Sequence, residues 1–408
     1  MAEPKLPPGF DFTDPDLYAV RVPQDEFAEL RRSAPVWWNP QRRGIGGFDD
    51  GGFWAVTRHA DIVEISRDSD TYSTWENTAI IRHADGASRE QIELQRFVML
   101  NIDPPQHTKL RGIVSRGFTP RSIASLREAL TARAARIAET AAAAGTGDFV
   151  RDVAAELPLQ AIAELIGVPQ EDRGKVFAWS NDMVGYDDPE YTADPAAAAA
   201  EIIGYSMEMA EDRRRCPRDD IVTKLTQAQV DGDSLSADEF GFFVILLAVA
   251  GNETTRNAIS HGMLAFLDHP DQWELFCAER PGTAVDEIVR WATPVTVFQR
   301  TALCDTTLGG QQIKTGQRVG LFYRSANFDE DVFDDPERFD IRRDPNPHLG
   351  FGGSGAHFCL GASLARLEID LIFNAVADAM PGIRKAGDPV RLRSGWLNGI
   401  KRLPVRYT

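Results

Sequence analysis

A single cysteine among glycines is the first place where residue types and spacing in this chain could do chemistry. The run Phe351-Gly352-Gly353-Ser354-Gly355-Ala356-His357-Phe358-Cys359-Leu360-Gly361 leads directly into the helical pattern Ala362-Ser363-Leu364-Ala365-Arg366. Glycines let backbone N–H groups come close to a sulfur atom. A helix start turns its positive end toward a thiolate. Both effects favour ionised sulfur, the form that binds a metal. The plainer alternative is a glycine-rich turn around an inert, buried cysteine, and the cysteine alone does not choose between them.

Three further groups could serve such a site. Glu287-x-x-Arg290 places a carboxylate and a guanidinium on one helix face. Six Glu-x-x-Arg matches occur in the chain, so the pattern is weak until its place is considered. His107-x-x-x-Arg111 projects two basic groups from one helix face, and Arg300 follows the strand-like Val295-Thr296-Val297-Phe298. Inside a long helical pattern lies Ala250-Gly251-Asn252-Glu253-Thr254-Thr255. Glycine inside a helix costs roughly 1 kcal/mol against alanine and so needs a reason. Thr254 can hydrogen-bond back to the Ala250 carbonyl, loosening the helix and admitting water. Glu253 beside it is a titratable group.

Gly355-x-His357-x-Cys359-x-Gly361 resembles the haem-ligand signature of the cytochrome P-450 superfamily. Phe351 lies eight residues before Cys359, one more than is usual in that family. The resemblance implies the cytochrome P-450 fold, a haem b cofactor, and Cys359 as the metal ligand that favours O–O cleavage. It further implies that Phe351 and Gly361 shape the haem loop. His107, Arg111, Arg300 and His357 become partners of the haem propionates. Ala250 and Gly251 would let a diatomic ligand lie close to the helix, with Thr254 and Glu253 delivering protons. Glu287 and Arg290 would lock the ligand loop through Arg338, in Pro336-Glu337-Arg338-Phe339.

The likeness extends nearly over the full length. Leu6–Asp16, Phe97–Asp103, Ala250–Arg256, Trp291–Val295 and Arg393–Gly399 resemble the actinobacterial branch that oxidises sterol side chains. That branch implies hydroxylation of the terminal methyl (C26/C27) of cholesterol or cholest-4-en-3-one, with possible oxidation onward to aldehyde and acid. Phe97, Val98, Met99, Leu100, Val295, Val297 and Trp396 are then candidate lining for the apolar channel a sterol needs. Other readings share the haem loop: an omega-hydroxylase of methyl-branched lipids, a peroxide-driven peroxygenase, and a non-catalytic haem sensor. No G-x-G-x-x-G loop follows a strand. Electrons are therefore expected from a separate ferredoxin and its reductase, with Arg366 as a candidate docking charge.

These side chains need helices to hold them. Ser236 followed by Glu239 is a capping box that opens a helix expected over 236–267. Others are expected over 121–144, ending before Gly145, and over 157–166, ending at Gly167 and Pro169. Another begins near Ala196 and carries Met207 and Met209, and an early one carries Phe27, Leu30 and Arg31. Strand signals appear at 36–38, 53–56, 295–301, 317–322 and in the last dozen residues. The expectation is a mainly α fold with minor sheet, residues 1–408 forming one domain.

Composition narrows the partners. The 408 residues carry 44 basic and 61 acidic side chains, a net charge of −17, which opposes general nucleic-acid binding. Four scattered cysteines form neither a disulfide framework nor a zinc-finger spacing. The apolar run 240–250 is too short for a membrane anchor. A soluble cytoplasmic enzyme is expected.

Overall fold

The computed structural model describes residues 4–218, 222–223 and 235–407, and its helices begin and end where capping and breaking residues stand. Helix α1 (Gln24–Ser33) leads to β1 (Val36–Pro40) and β2 (Gly52–Val56), an antiparallel pair with Trp38 opposite Trp54. Helix α2 (His59–Arg67) and the short β3 (Tyr72–Ser73) follow, then α3 (Gln106–Val114), the carrier of His107 and Arg111. In α4 (Pro120–Ala144), Thr119 caps the N-terminus and Pro120 occupies the first turn, where its missing N–H costs nothing. That helix ends at Gly145, whose φ of 74° few other residues adopt.

Helix α5 (Glu156–Ile166) stops at Gly167, φ 83°, as its sequence signals imply. Helices α6 (Arg173–Val184) and α7 (Pro195–Arg215) precede the long α8 (Ala237–Asp268). Its capping box forms in both directions: Glu239 N–H donates to Ser236 Oγ at 3.1 Å, and Ser236 N–H donates to the Glu239 carboxylate at 2.8 Å. Helix α9 (Ala284–Ala292), β4 (Phe298–Ala302), β5 (Arg318–Leu321) and α10 (Ala362–Ala379) complete the elements that build the site.

The main sheet has the order β1-β2-β5-β4-β3. Only the β2/β5 pair is parallel. Strand β4 begins at Phe298 rather than at Val295, because Pro294 and Thr296 spend their backbone groups elsewhere. Asn398 N–H donates to the Pro294 carbonyl, and Thr296 N–H donates to the Trp396 carbonyl. This mainly α architecture with minor sheet is the one expected.

Helix α8 runs through the principal core and packs on α5, α6, α7, α9 and α10. Being surrounded, it shows no polar stripe of the kind a surface helix has. Among the described residues no helix is long and apolar enough to cross a membrane. Gly262 sets how closely the helices meet, since a Cβ there would lie 2.7 Å from Ile288 and 2.9 Å from Phe373. Ile288 belongs to α9 and Phe373 to α10, the two helices that flank the cysteine loop. Gly262→Ala should therefore destabilise the protein by about 1–3 kcal/mol through overpacking, despite alanine's better helix propensity. Thermal unfolding tests this, and an unchanged or raised melting temperature would mean that the three helices can spread.

Candidate functional site

The cysteine loop folds back on itself before α10 begins. Cys359 N–H donates to the Phe351 carbonyl at 2.9 Å, and Gly352 N–H donates to the Leu349 carbonyl at 2.9 Å. The additional residue between Phe351 and Cys359 is accommodated by left-handed backbone at Gly352, Ser354 and Gly355. At Gly355 a Cβ would lie 2.1 Å from the Ser66 carbonyl oxygen, so only glycine lets the loop press on α2. Burial pushes the Cys359 thiol up. The N–H of Gly361, the guanidiniums of Arg111 and Arg366, and the N–H of Ala362 pull it back down. The expected arrangement, a sulfur facing backbone N–H groups at a helix start, is present.

Beside the sulfur lies a basic cluster, with His107 and Arg300 buried and Arg111 and His357 half-buried, that lacks enough negative charge. The rings of His107 and His357 have centroids 4.2 Å apart. Burial, together with Arg111, holds His107 down at about 4. Burial, Arg300, His107 and Arg111 hold His357 down at about 2. Arg300 is buried on β4 and donates to the Gln299 carbonyl at 2.8 Å. Asp103 is the carboxylate near this group, but it accepts from Ser73, Thr74 N–H and Thr74 Oγ1. His107 Nδ1 is buried with no partner. Arg111 spends one nitrogen on the Phe358 carbonyl, at 2.6 Å. The buried Arg300 guanidinium, the half-buried Arg111 guanidinium and an orphaned imidazole nitrogen call for anions. The two carboxylates of a haem, the group the sequence resemblance implies, fit this set.

On α8 the turn from Ala250 to Thr255 separates two faces. Ala250 is exposed and Thr254 half-buried, although Asn252, Glu253 and Thr255 between and beside them are buried. Thr254 Oγ1 donates to the Ala250 carbonyl at 2.6 Å, the expected back-bond. Gly251 departs from expectation. A Cβ there would lie 2.3 Å from Ile162 Cδ1, so this glycine admits α5 and not a diatomic ligand. The small residue on the open face is Ala250. Glu253 is not a free carboxylate either: Oε1 accepts from Arg256 and, at 3.0 Å, from Asn257, while Oε2 is buried without a partner. Another of the six Glu-x-x-Arg matches is thus a buried pair, which pattern counting did not reveal.

Glu287 and Arg290 are fully buried and joined by two hydrogen bonds of 2.8 Å. The third arginine is Arg343, and the expectation for Arg338 is corrected. Arg343 Nε donates to Glu287 at 3.2 Å, whereas the Arg338 side chain is largely exposed and meets only Asp340, at 3.9 Å. Arg338 contributes its backbone carbonyl, which accepts from Arg343 at 2.9 Å and Arg290 at 3.3 Å. Asn346 and the Asp340 N–H also donate to Glu287. The neighbouring Asp286 accepts from His348 at 3.0 Å and Arg366 at 2.8 Å. Arg366 lies 4.4 Å from the Phe351 ring centroid, so it braces the loop rather than standing free as a docking charge.

The channel candidates divide. Phe97 is 53% exposed and stacks on Phe242, and Val98, Leu100 and Val295 are half-buried. Met99 and Val297 are core residues, Val297 being fully covered. Trp396 is buried against Phe298 and donates to the Tyr186 hydroxyl at 2.9 Å. Those three are buried members of the core clusters. Arg343, Asp286 and Ser66 lacked any sequence signal, since their partners come from distant segments.

Comparison with known proteins agrees with this geometry. The family model of Cytochrome P450 matches residues 283–376, which include Glu287, Arg290 and Cys359. The chain is 69% identical to the steroid C26-monooxygenase of Rhodococcus jostii, over 100% of this chain and 86% of that protein. It is 41% identical to the methyl-branched lipid omega-hydroxylase of Mycobacterium tuberculosis, over 99% of this chain and 96% of that one. A Mycobacterium marinum cytochrome P450 solved in complex with pseudoionone superposes with a TM-score of 0.87, at 41% identity over 94% of each chain.

The arginine assignment can be tested directly. Arg338→Ala should change stability by less than about 0.5 kcal/mol, as for other exposed positions. Arg343→Ala should cost about 1.5–3 kcal/mol by removing hydrogen bonds to a charged partner. Denaturant unfolding of both variants decides, and the opposite order would restore Arg338.

Proposed function

This chain belongs to the cytochrome P450 family, with haem b as its cofactor and monooxygenase chemistry as its activity, and we propose that it hydroxylates the terminal methyl carbon of a sterol side chain. One observation carries the substrate: identity over the whole chain is 69% with a steroid C26-monooxygenase against 41% with a methyl-branched lipid omega-hydroxylase. In this reading cholesterol or cholest-4-en-3-one is the substrate, and repeated turnover takes the alcohol on to aldehyde and acid. The 408 residues act as one catalytic unit.

Haem supplies the activation of dioxygen that oxidises an unactivated C–H bond. Cys359 would hold it by the sulfur, Arg111 and Arg300 would neutralise its propionates, and His107 and His357 would donate hydrogen bonds to them. Thr254 holds a proton at Oγ1, now donated to the Ala250 carbonyl, and must turn outward to give it up on the open side. Glu253 can pass a proton only through Oε2, because Oε1 is engaged by Arg256 and Asn257. Phe97, Val98, Leu100 and Val295 exclude water around the apolar substrate and orient its end. A narrow approach is required, since the neighbouring C–H bonds are weaker and react first in a wide site.

Electrons come from a ferredoxin and its reductase. Phe358, 39% exposed and adjacent to Cys359, gives that partner an apolar contact beside the sulfur. A cytoplasmic location accords with four cysteines that are all free thiols. The acid–threonine pair disfavours a peroxygenase, and a half-buried apolar lining disfavours a sensor.

Cys359→Ser should abolish the red-shifted Soret band of the reduced carbon monoxide adduct; persistence of that band would remove Cys359 as ligand. Thr254→Ala should lower product formed per electron pair by about tenfold, equivalent to about 1.4 kcal/mol of lost discrimination, with hydrogen peroxide released instead. Mass spectrometry of products from cholest-4-en-3-one and from a methyl-branched fatty acid tests the substrate. Faster turnover of the fatty acid would overturn the sterol assignment.

A further inference from the structure

We infer that Asn252 anchors one internal water between α5, α6 and α8, and that this bridge positions the Glu253–Thr254 turn. Asn252 is 1% exposed, and both polar atoms of its amide, Nδ2 and Oδ1, are buried without a partner. It lines a cavity of about 10 Å³ with Ile162, Val176, Phe177, Ser180 and Ala248. That volume is just enough for one water, in walls that are apolar apart from Asn252, Ser180 and Arg173. A buried amide left unpaired costs its whole desolvation energy, so the occupant must both donate and accept. A diatomic gas or a hydrocarbon does neither.

Ser180 supplies a further partner. Its hydroxyl donates to the Phe177 carbonyl at 2.9 Å, which leaves its lone pairs to accept from a water. The water then accepts from Asn252 Nδ2 and donates to Asn252 Oδ1 and Ser180 Oγ, a typical coordination for internal water.

The place matters because α8 is weakened there. Thr254 bonds back to the Ala250 carbonyl, and Gly251 brings a backbone freer than alanine's. One turn further on, Arg256 donates to Asn181 Oδ1 at 3.0 Å while holding Glu253. Its guanidinium also lies 5.6 Å from the Phe177 ring. Helix α6 therefore grips α8 at two successive turns, through the water at Asn252 and through Asn181 at Arg256. Asn252 touches neither substrate nor haem in this account; it is a positioning residue. The functional half of the inference rests on the proton-delivery reading of Thr254 and Glu253, whereas the water itself does not.

Crystals of the haem-loaded protein should show a water within hydrogen-bond distance of the Asn252 amide and Ser180 Oγ. Absence of that water overturns the site. Asn252→Leu fills the cavity with apolar volume, so the melting temperature should hold. Peroxide released per product should rise by about 10- to 100-fold, the upper end being the cost of a 1 Å misplacement. Asn252→Ser, which keeps a hydrogen-bonding anchor, should restore most of the coupling. Ser180→Ala removes one water partner without touching α8. It should shift coupling in the same direction and keeps the test intact if Asn252→Leu does not fold. Wild-type coupling in both Asn252→Leu and Ser180→Ala, with Thr254→Ala uncoupled alongside, overturns the positioning role. Coupled turnover in Thr254→Ala would instead fault the proton-delivery reading and leave the water site standing.

Discussion

The carboxylate of Glu287 is the charge on which the cysteine loop depends. It is fully buried, and it accepts from Arg290 twice, from Arg343, from Asn346 and from the Asp340 N–H. A buried ion is tolerated only when such partners replace its water, and removing a fully buried counter-ion such as Arg290 commonly costs about 3–5 kcal/mol. Arg290 extends the arrangement by donating to the Asn327 and Pro336 carbonyls. Asn327 in turn accepts from the Leu349 N–H at 2.6 Å, two residues before Phe351. An ion pair on α9 thus reaches the loop that presents Cys359, through one chain of donors and acceptors. Asp286, one residue before Glu287, adds a second attachment through His348 and Arg366.

On the other side of the sulfur the electrostatics are reversed. Arg300, Arg111, His107 and His357 converge with only Asp103 against them, and that carboxylate is shared with Ser73 and Thr74. A fold that gathers two guanidiniums and two neutral imidazoles with so little negative charge offers a site for anions. Arg111 of this cluster, and Arg366 outside it, draw the Cys359 thiol toward its ionised form, against the larger push of burial. Arg111 therefore belongs both to the basic cluster and to the surroundings of the sulfur. Helix α8 leaves Ala250 and Thr254 open on one face while Gly251 and Asn252 face α5 and α6.

Much of this was legible in the residues themselves. The Cys359 loop, the capping box at Ser236, the glycine stops at 145 and 167, and the back-bond of Thr254 all depend on neighbours within a few positions. Local geometry decides them, so periodicity and residue type suffice. Glu287 and Arg290 were likewise readable, being one helical turn apart. The expectations that failed did so for a common reason: each concerned which way a side chain faces once distant segments pack. Arg338 and Arg343 are five residues apart in one irregular segment, and no periodicity distinguishes the one turned inward.

Gly251 was read as space for a ligand, but its neighbour, Ile162, comes from 89 positions earlier in the chain. Met99, Val297 and Trp396 are apolar whether they line a channel or fill a core; only the surrounding elements decide. By itself, then, the amino-acid order determined the chemistry on offer: a thiolate at a helix start, a hydroxyl and a carboxylate in mid-helix, and basic groups at set intervals. Tertiary structure alone decided which of them meet, because burial and pairing are relations between segments that no short-range spacing encodes.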